Sequence, residues 1–298
     1  MISIKNIFIF ISLTITISFI ACEKEIEIPY PDYTPTLVLN AFITPDSLWE
    51  VYLHASQSKV ANELPIAIET AEIEVFENGL SIAQLEHRED TYYVSKPNST
   101  LPAVNKTYTI KVQAEGYPAI EATTSIPTPT PIDRILLTDS VAIDESGEYL
   151  TELRIRFKDT PNTQNFYYLN LVNFRTEQND LWPAFFEFDQ PAIEFKTTSN
   201  SGLKNKTFFS DLLFDGQFYE IVGTIPSRDF INQKNNFDEL RITLATVNET
   251  YFNYFKQYEK QNSVQENPFA EAVFIDSNVQ NGLGNFAGVS IDVKIIDI

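Results

Sequence analysis

Short runs in which every second residue is apolar, each closed by turn formers, constrain this chain more than any other feature. Period-two alternation suits a strand with one face on a core and the other in water, and it conflicts with the 3.6-residue stripe of an amphipathic helix. Trp49, Val51, Leu53 and Ala55 share one face, with Glu50, Tyr52 and His54 on the other. Ala71, Ile73 and Val75 alternate with Glu72 and Glu74, and Tyr108, Ile110, Val112 and Ala114 alternate with Thr107, Thr109, Lys111 and Gln113. Asn78-Gly79 between two such runs predicts a tight hairpin.

Between Leu37 and Ile126 these runs recur roughly every 10 residues, the spacing of a small sandwich. The expectation for residues 36–126 is an immunoglobulin-like or transthyretin-like β-sandwich. Ile126-Pro127-Thr128-Pro129-Thr130-Pro131 then places three prolines in alternation, which no central strand tolerates, so 127–131 reads as a linker between domains. Residues 132–298 read as a second β-rich domain, making the fold mainly β. Leu153, Ile155 and Phe157 alternate with Arg154, Arg156 and Lys158, and Val289, Ile291, Val293 and Ile295 alternate near the end. The run Phe166-Tyr167-Tyr168-Leu169 is apolar on both faces and reads as a central strand. One helix is expected near 249–263, with Asn248 as N-cap and Tyr251, Tyr254, Phe255 and Tyr258 at helical spacing. That aromatic stripe reads as core packing.

The N-terminus says where the chain goes. Lys5 is the only charge before Glu23, and an apolar stretch runs from Ile7 to Ile20. Its length suits the h-region of a signal peptide and is short for a membrane span. Phe19-Ile20-Ala21-Cys22, with a small residue ahead of Cys, resembles a bacterial lipobox. The resemblance implies that residues 1–21 are a signal peptide cut ahead of Cys22, whose thiol carries a diacylglycerol and whose amine is acylated. Two or three chains at about 0.8 kcal/mol per buried CH₂ anchor stably where one does not. An ordinary secretory signal with an incidental cysteine is the alternative. Cys22 is the only cysteine, which excludes an internal disulfide and a multi-cysteine zinc site. Residues 22–35, acidic and then proline-rich, form a tether. The Glu23-Lys24-Glu25 stretch is similar to the export signals of surface lipoproteins in Bacteroidetes, although tether solubility accounts for the acids equally well.

With 41 acids against 21 bases the formal charge is −20. Such a chain repels phosphate backbones and anionic lipids, so nucleic acid is not among its expected partners.

Several runs together resemble the Bacteroidetes outer-membrane lipoproteins grouped as domain of unknown function 4249. They are Leu37-Val38-Leu39-Asn40-Ala41-Phe42-Ile43-Thr44-Pro45-Asp46-Ser47, Gly116-Tyr117, Phe157-Lys158-Asp159-Thr160-Pro161, Phe209-Ser210-Asp211-Leu212-Leu213-Phe214-Asp215-Gly216, and the stretch from Asn267-Pro268-Phe269 through Ser277-Asn278-Val279-Gln280-Asn281-Gly282-Leu283-Gly284. Ala41 stands where the family has Gly, and Asn285 where it has an apolar residue. The resemblance implies an outer-membrane lipoprotein found in company with TonB-dependent transporters, and it brings no catalytic residues.

Motif chemistry is sparse. No Gly-x-Ser-x-Gly, His-Glu-x-x-His or P-loop is present, and the glycines at 282, 284 and 288 read as a turn ahead of the last strand. Asp211 and Asp215 are weak calcium candidates, since Ca²⁺ takes several hard oxygens. A single turn capped by Ser210 and ending at Gly216 explains both without an ion. Trp182 and Phe185, in a loop between strand patterns, are candidate contacts for a partner or a sugar ring, although Trp182 covering the domain edge accounts for it without either; Asn278 and Asn281 are candidates in a second loop. The expectation is a surface-exposed, lipid-anchored outer-membrane protein with no catalytic role. It would serve as a binding or accessory subunit of a TonB-dependent nutrient transporter, with the β-barrel as partner and the lipid on Cys22 as its only attached group. The alternative is an adhesin or structural envelope protein; a surface hydrolase has no motif behind it.

Overall fold

In the computed structural model residues 33–58, 66–197, 205–264, 271 and 273–298 are described. The signal segment, Cys22 and nearly all of the tether lie outside the described residues. The alternating runs of the first region become strands β1 (Leu37–Ile43), β2 (Glu50–Ala55), β3 (Ile66–Ala67), β4 (Glu72–Glu77), β5 (Leu80–Glu89), β6 (Tyr92–Ser95), β7 (Thr107–Gln113) and β8 (Ile120–Ser125). The apolar members of each alternation are the buried ones: Val51, Leu53 and Ala55 on β2, Ile73 and Val75 on β4, Tyr108, Ile110 and Val112 on β7. Trp49 joins them, and its indole N–H donates to Thr100 O at 2.7 Å, so the ring is buried without an orphaned donor. Asn78 and Gly79 take φ of 51° and 80° between β4 and β5, the left-handed backbone a two-residue hairpin needs.

The second region holds β9 (Ile132–Ile143), β10 (Tyr149–Lys158), β11 (Phe166–Arg175), β12 (Asp180–Pro183), β13 (Glu187–Phe188), β14 (Ile193–Thr197), β15 (Lys206–Ser210), β16 (Phe218–Pro226), α1 (Ser227–Lys234), β17 (Glu239–Val247), α2 (Glu249–Val264), β18 (Val279–Gln280) and β19 (Leu283–Asp297). A sheet in the order β13-β16-β10-β9 packs on strands β14-β15-β11-β17-β19. Leu153, Ile155, Phe157 and Ile221 from one side meet Tyr167, Leu169, Phe209, Leu240 and Leu244 from the other in a single core. The alternate residues of β11, Phe166 and Tyr168, face away into a second cluster beneath α2, so this strand is central as expected.

Asn248 caps α2, its Oδ1 accepting from Tyr251 N–H at 3.0 Å. Packing is carried by Tyr251 and Phe252, both buried, with Phe255 partly so, whereas Tyr258 is exposed. A second helix, α1, joins the expected one. Its eight residues carry one buried apolar anchor, Phe230, too little to make a periodic stripe.

The glycines at 282, 284 and 288 overturn the expected turn. The chain turns only at Asn281 and Gly282; from Leu283 on it is strand. A Cβ on Gly284 would lie 2.0 Å from Leu39 O, and one on Gly288 2.1 Å from Ser125 O. These glycines mark close approaches of neighbouring backbones rather than a reversal of direction.

That strand reaches both regions. From Leu283 to Gly288 β19 pairs in parallel with β1, Val38 opposite Leu283 and Ile43 opposite Gly288. From Val289 to Asp297 it pairs antiparallel with β17. Val279 and Phe286 are buried in the core of the first region. The 127–131 segment separates two cores in sequence, yet it is fastened to the second. Thr130 N–H donates to Thr246 Oγ1 at 3.0 Å, and Ile132 N–H to Asp292 Oδ2 at 2.8 Å.

Phe286→Ala is expected to cost about 3–5 kcal/mol in urea denaturation, the range for emptying a buried aromatic site. A fragment of residues 36–126, which lacks Val279, Phe286 and the partner strand of β1, is expected to show no cooperative melt by circular dichroism. Full-chain stability in the single variant, or a sharp melt in the fragment, would contradict this account.

Candidate functional site

The two motif runs 157–161 and 209–216 meet at one end of the second core. β10 ends at Lys158, and Asp159 N–H donates to Gln217 O at 2.9 Å. β15 ends at Ser210 and passes into a single 3-10 turn, Asp211–Leu213. Ser210 occupies the cap position but does not cap; its hydroxyl donates to Glu194 Oε1 at 2.6 Å. Gly216 closes the loop at φ 68°, against Pro161. Leu212 and Leu213 are left facing solvent at the tip.

This geometry adds Asp159 to the two expected aspartates. One carboxylate oxygen from each of Asp159, Asp211 and Asp215 lies within 4.8 Å of the others. Asp159 accepts from Tyr167 OH and from Asn165 Nδ2 through Oδ1, and from Gly216 N–H at 2.7 Å through Oδ2. Asp211 Oδ2 takes Asn165 N–H at 2.8 Å, and Asp215 Oδ1 takes Asn162 N–H at 2.9 Å. These hydrogen bonds account for the convergence of the carboxylates without an ion, since each carboxylate holds a loop backbone N–H: Asp159 that of Gly216, Asp211 that of Asn165 and Asp215 that of Asn162. Asn165, which sequence reasoning passed over, is the hub: its side-chain amide also donates to Thr160 O and Thr163 O.

Burial, and then the neighbouring Asp159 and Asp215, push the Asp211 carboxyl above its ordinary range. Burial and the bond to Asp159 push the Tyr167 phenol up as well. Tyr167 carries the network inward: Thr130 Oγ1 donates to its hydroxyl at 3.4 Å.

Trp182 lies on β12, an edge strand paired with β11. It is 51% exposed and Phe185 is 58% exposed. The indole is nevertheless fixed: Nε1 donates to Asp180 Oδ2 at 2.9 Å, and Asp180 is gripped by Arg175 through Nε and Nη2. The Arg175 guanidinium sits 5.8 Å from the centre of the Trp182 ring and 5.5 Å from that of Phe237. Arg175 first, and then the indole N–H, holds the Asp180 carboxyl down to about 2.

Asn278 and Asn281 sit elsewhere, at the seam of the first region. Asn278 Oδ1 accepts from Phe286 N–H at 2.9 Å while its Nδ2 donates to Phe286 O at 2.8 Å. A side-chain amide thus stands in for a strand backbone beside β19. Asn281 Nδ2 donates to Ala119 O at 3.3 Å, with its own φ at 58°. Asn278 also lines a shallow cleft of about 250 Å³ between residues 276–278 and the first turn of α2. Cys22 falls outside the described residues.

With this geometry in place, comparison with known proteins is brief. The family model for domain of unknown function 4249 matches residues 23–295. No curated protein matches the chain. A solved structure described as a membrane anchored protein from Corynebacterium diphtheriae aligns at 10% identity over 72% of this chain, with a TM-score of 0.23. The chain spans 55% of that protein's length, and a likeness at this score carries no argument.

Two substitutions divide the roles of the aspartates. Asp159→Ala strips the acceptor from three donors, of which the Tyr167 hydroxyl is buried and the other two partly so, and is expected to cost about 3 kcal/mol. Asp211→Asn keeps an acceptor for Asn165 N–H and removes a carboxylate whose ionisation opposes folding above the ordinary carboxylate range. It is expected to be neutral or stabilising at pH 7, with any gain disappearing as pH falls through that range and wild-type Asp211 becomes protonated. Saturating calcium is expected to leave the melting temperature unchanged. A bound ion at a hundred times its Kd would add about 2.7 kcal/mol, so a clear upward shift would make this a metal site.

Proposed function

Because the chain belongs to the family of domain of unknown function 4249, whose model spans nearly all of it, we propose that it is a surface lipoprotein of the outer membrane. In this reading it is a binding protein rather than an enzyme, an accessory subunit beside a TonB-dependent β-barrel that admits a nutrient. The lipid on Cys22 attaches it, and residues 22–35 give reach. Among the described residues no helix is long and apolar enough to cross a membrane, and a lipid anchor needs none.

The observation that carries a binding role is the Leu181, Trp182 and Phe185 edge. Large apolar side chains stand in water there on a strand whose tryptophan is already locked by Asp180 and Arg175. An aromatic held in one rotamer loses little entropy on docking, which is what makes such residues effective anchors in a partner's pocket. The second reading, an adhesin or structural envelope protein, draws on the two β cores joined by one strand and shares the same anchor.

Cys22→Ala is expected to block lipidation and release the chain from the outer-membrane fraction; normal processing and fractionation of the variant would overturn the lipoprotein reading. Purification of the full chain in mild detergent is expected to recover a stoichiometric large β-barrel protein, and its absence would favour the adhesin. Trp182→Ala, altering a half-exposed ring, is expected to leave the melting temperature within about 1 °C, since surface changes stay near 0.5 kcal/mol. The same variant is expected to recover the barrel at least tenfold less well.

A further inference from the structure

Successive residues of a strand turn their backbone N–H and C=O groups to alternate edges. On β19 the even-numbered residues face β17: Gly288 O accepts from Asn248 N–H at 3.4 Å, and Ile298 N–H donates to Asp238 O at 3.0 Å. The odd-numbered residues face the other way, where Asn285 N–H meets Asn40 Oδ1 of β1 at 3.2 Å. β1 reaches only as far as Gly288. Beyond it, among the described residues, no strand pairs with the odd-numbered edge of β19. The backbone groups of Ile291, Val293 and Ile295 are left there without a strand to bond.

An open edge is a template for another chain, and folded proteins blunt it with short strands, bulges, proline or a covering element. The other strands that end or flank the sheets are blunted in this way. β3, β13 and β18 have two residues each, and β12 has four. β14 is offset against its neighbour between Ile193 and Phe195, and β9 is offset twice against β10. By contrast β19 keeps unbroken register with β17 from Val289 to Asp297. Helix α2 packs over Ala287 and Val289 and stops short of the next outward side chains. Those are Ile291, Val293 and Ile295 again, each about half exposed. The bare edge and the bare apolar row thus belong to the same three residues.

We propose that this edge receives an extended strand of another protein, which adds to the sheet beside β19. Alternating donors and acceptors at the strand repeat are matched by a polypeptide backbone, and neither a glycan nor a lipid presents them in register. The incoming strand carries an apolar residue at every second position, to cover Ile291, Val293 and Ile295. A second copy of this chain does not fit. Two β19 strands paired antiparallel about Val293 set Gly288 of one level with Ile298 of the other, each being five residues from the centre. Ile43 sits beside Gly288 on that same edge, so β1 of one copy would take the place of the end of β19 in the other. β11 and β17 lie between this edge and the Trp182 strand, and the inference holds whether or not that strand meets a transporter.

The test places a photo-crosslinking amino acid at Ile295 in the full-length protein in the cells that make it. Tyr52, exposed on a strand with neighbours on both edges, is the control position. The expected result is one protein adduct from Ile295 and none from Tyr52, with the joined peptide apolar at alternate positions. Val293→Pro removes an N–H that faces away from β17, a place where an edge strand tolerates proline. It is expected to reduce the adduct at least tenfold, whereas Val293→Thr, which keeps the backbone donor, is expected to leave it within twofold. Hydrogen exchange read residue by residue on the purified full chain needs no variant: amides 291, 293 and 295 are expected to exchange at least tenfold faster than 290, 292 and 294. No adduct, an adduct to lipid, glycan or a second copy of this chain, an adduct that survives Val293→Pro or is lost equally in Val293→Thr, or slow exchange at the odd-numbered amides would each overturn the proposal.

Discussion

The last strand ties the two regions together, and the first edge of the first region is closed by the backbone hydrogen bonds it gives to β1. β19 spends its first residues against β1 and its remaining ones against β17, and it delivers Phe286 into the first core between those two roles. The exchange demands that three backbones come closer than side chains allow, which is why Gly284 faces Leu39 and Gly288 faces Ser125 and Ile126. It also leaves the first half of β19 without a strand on its second side. There the Asn278 side chain supplies both a donor and an acceptor to Phe286, and Asn248 N–H reaches Gly288 O at 3.4 Å. Buried amides without partners cost too much to be left open, and asparagine side chains meet the need where no strand can fit.

The end of the second core is organised by polar groups instead. Asp159 is buried because it bonds to Tyr167, Asn165 and Gly216 at once. Tyr167 continues through Thr130 to Thr246, so the proline segment after the first region is sewn to the same network. Satisfied networks of this kind specify one arrangement of loops. Here the arrangement brings the Asp211–Leu213 turn against the Pro161 corner, and the runs that carry the family resemblance are the ones that make it.

The strands were readable because their alternation reports burial directly: Val51, Leu53, Ile110 and Val112 are inside where the period-two pattern places them. The hairpin at Asn78-Gly79 and the cap at Asn248 were readable for a similar reason, each being chemistry confined to a few neighbouring residues. What escaped was non-local. No pattern in residues 282–288 tells a glycine kept for a turn from one kept because another backbone lies 2 Å from its missing Cβ. The third aspartate of the acidic cluster follows a different strand, β10, from the one that precedes the first two, and Asn165 acts through the fold rather than through any motif. Helix α1, with Phe230 as its one buried apolar anchor, had no stripe to show. Trp182 was legible as an exposed aromatic between strand patterns, but not its place on the edge strand β12, nor the Asp180 and Arg175 clamp that holds it.

The pairing of Val38 with Leu283 also sets the order in which the molecule can assemble. A chain emerging from its N-terminus ordinarily completes early domains before late ones. Here β1 waits for a neighbour near the opposite terminus, and the closure entropy of that long loop must be met before the contact gives anything back. Until the final strand arrives, the first region exposes an open edge and the cavity that Phe286 will fill. Closure that waits for the last strand leaves the edge of β1 unpaired until nearly the whole chain is made, and an unpaired chain is the form in which a polypeptide is threaded across a membrane.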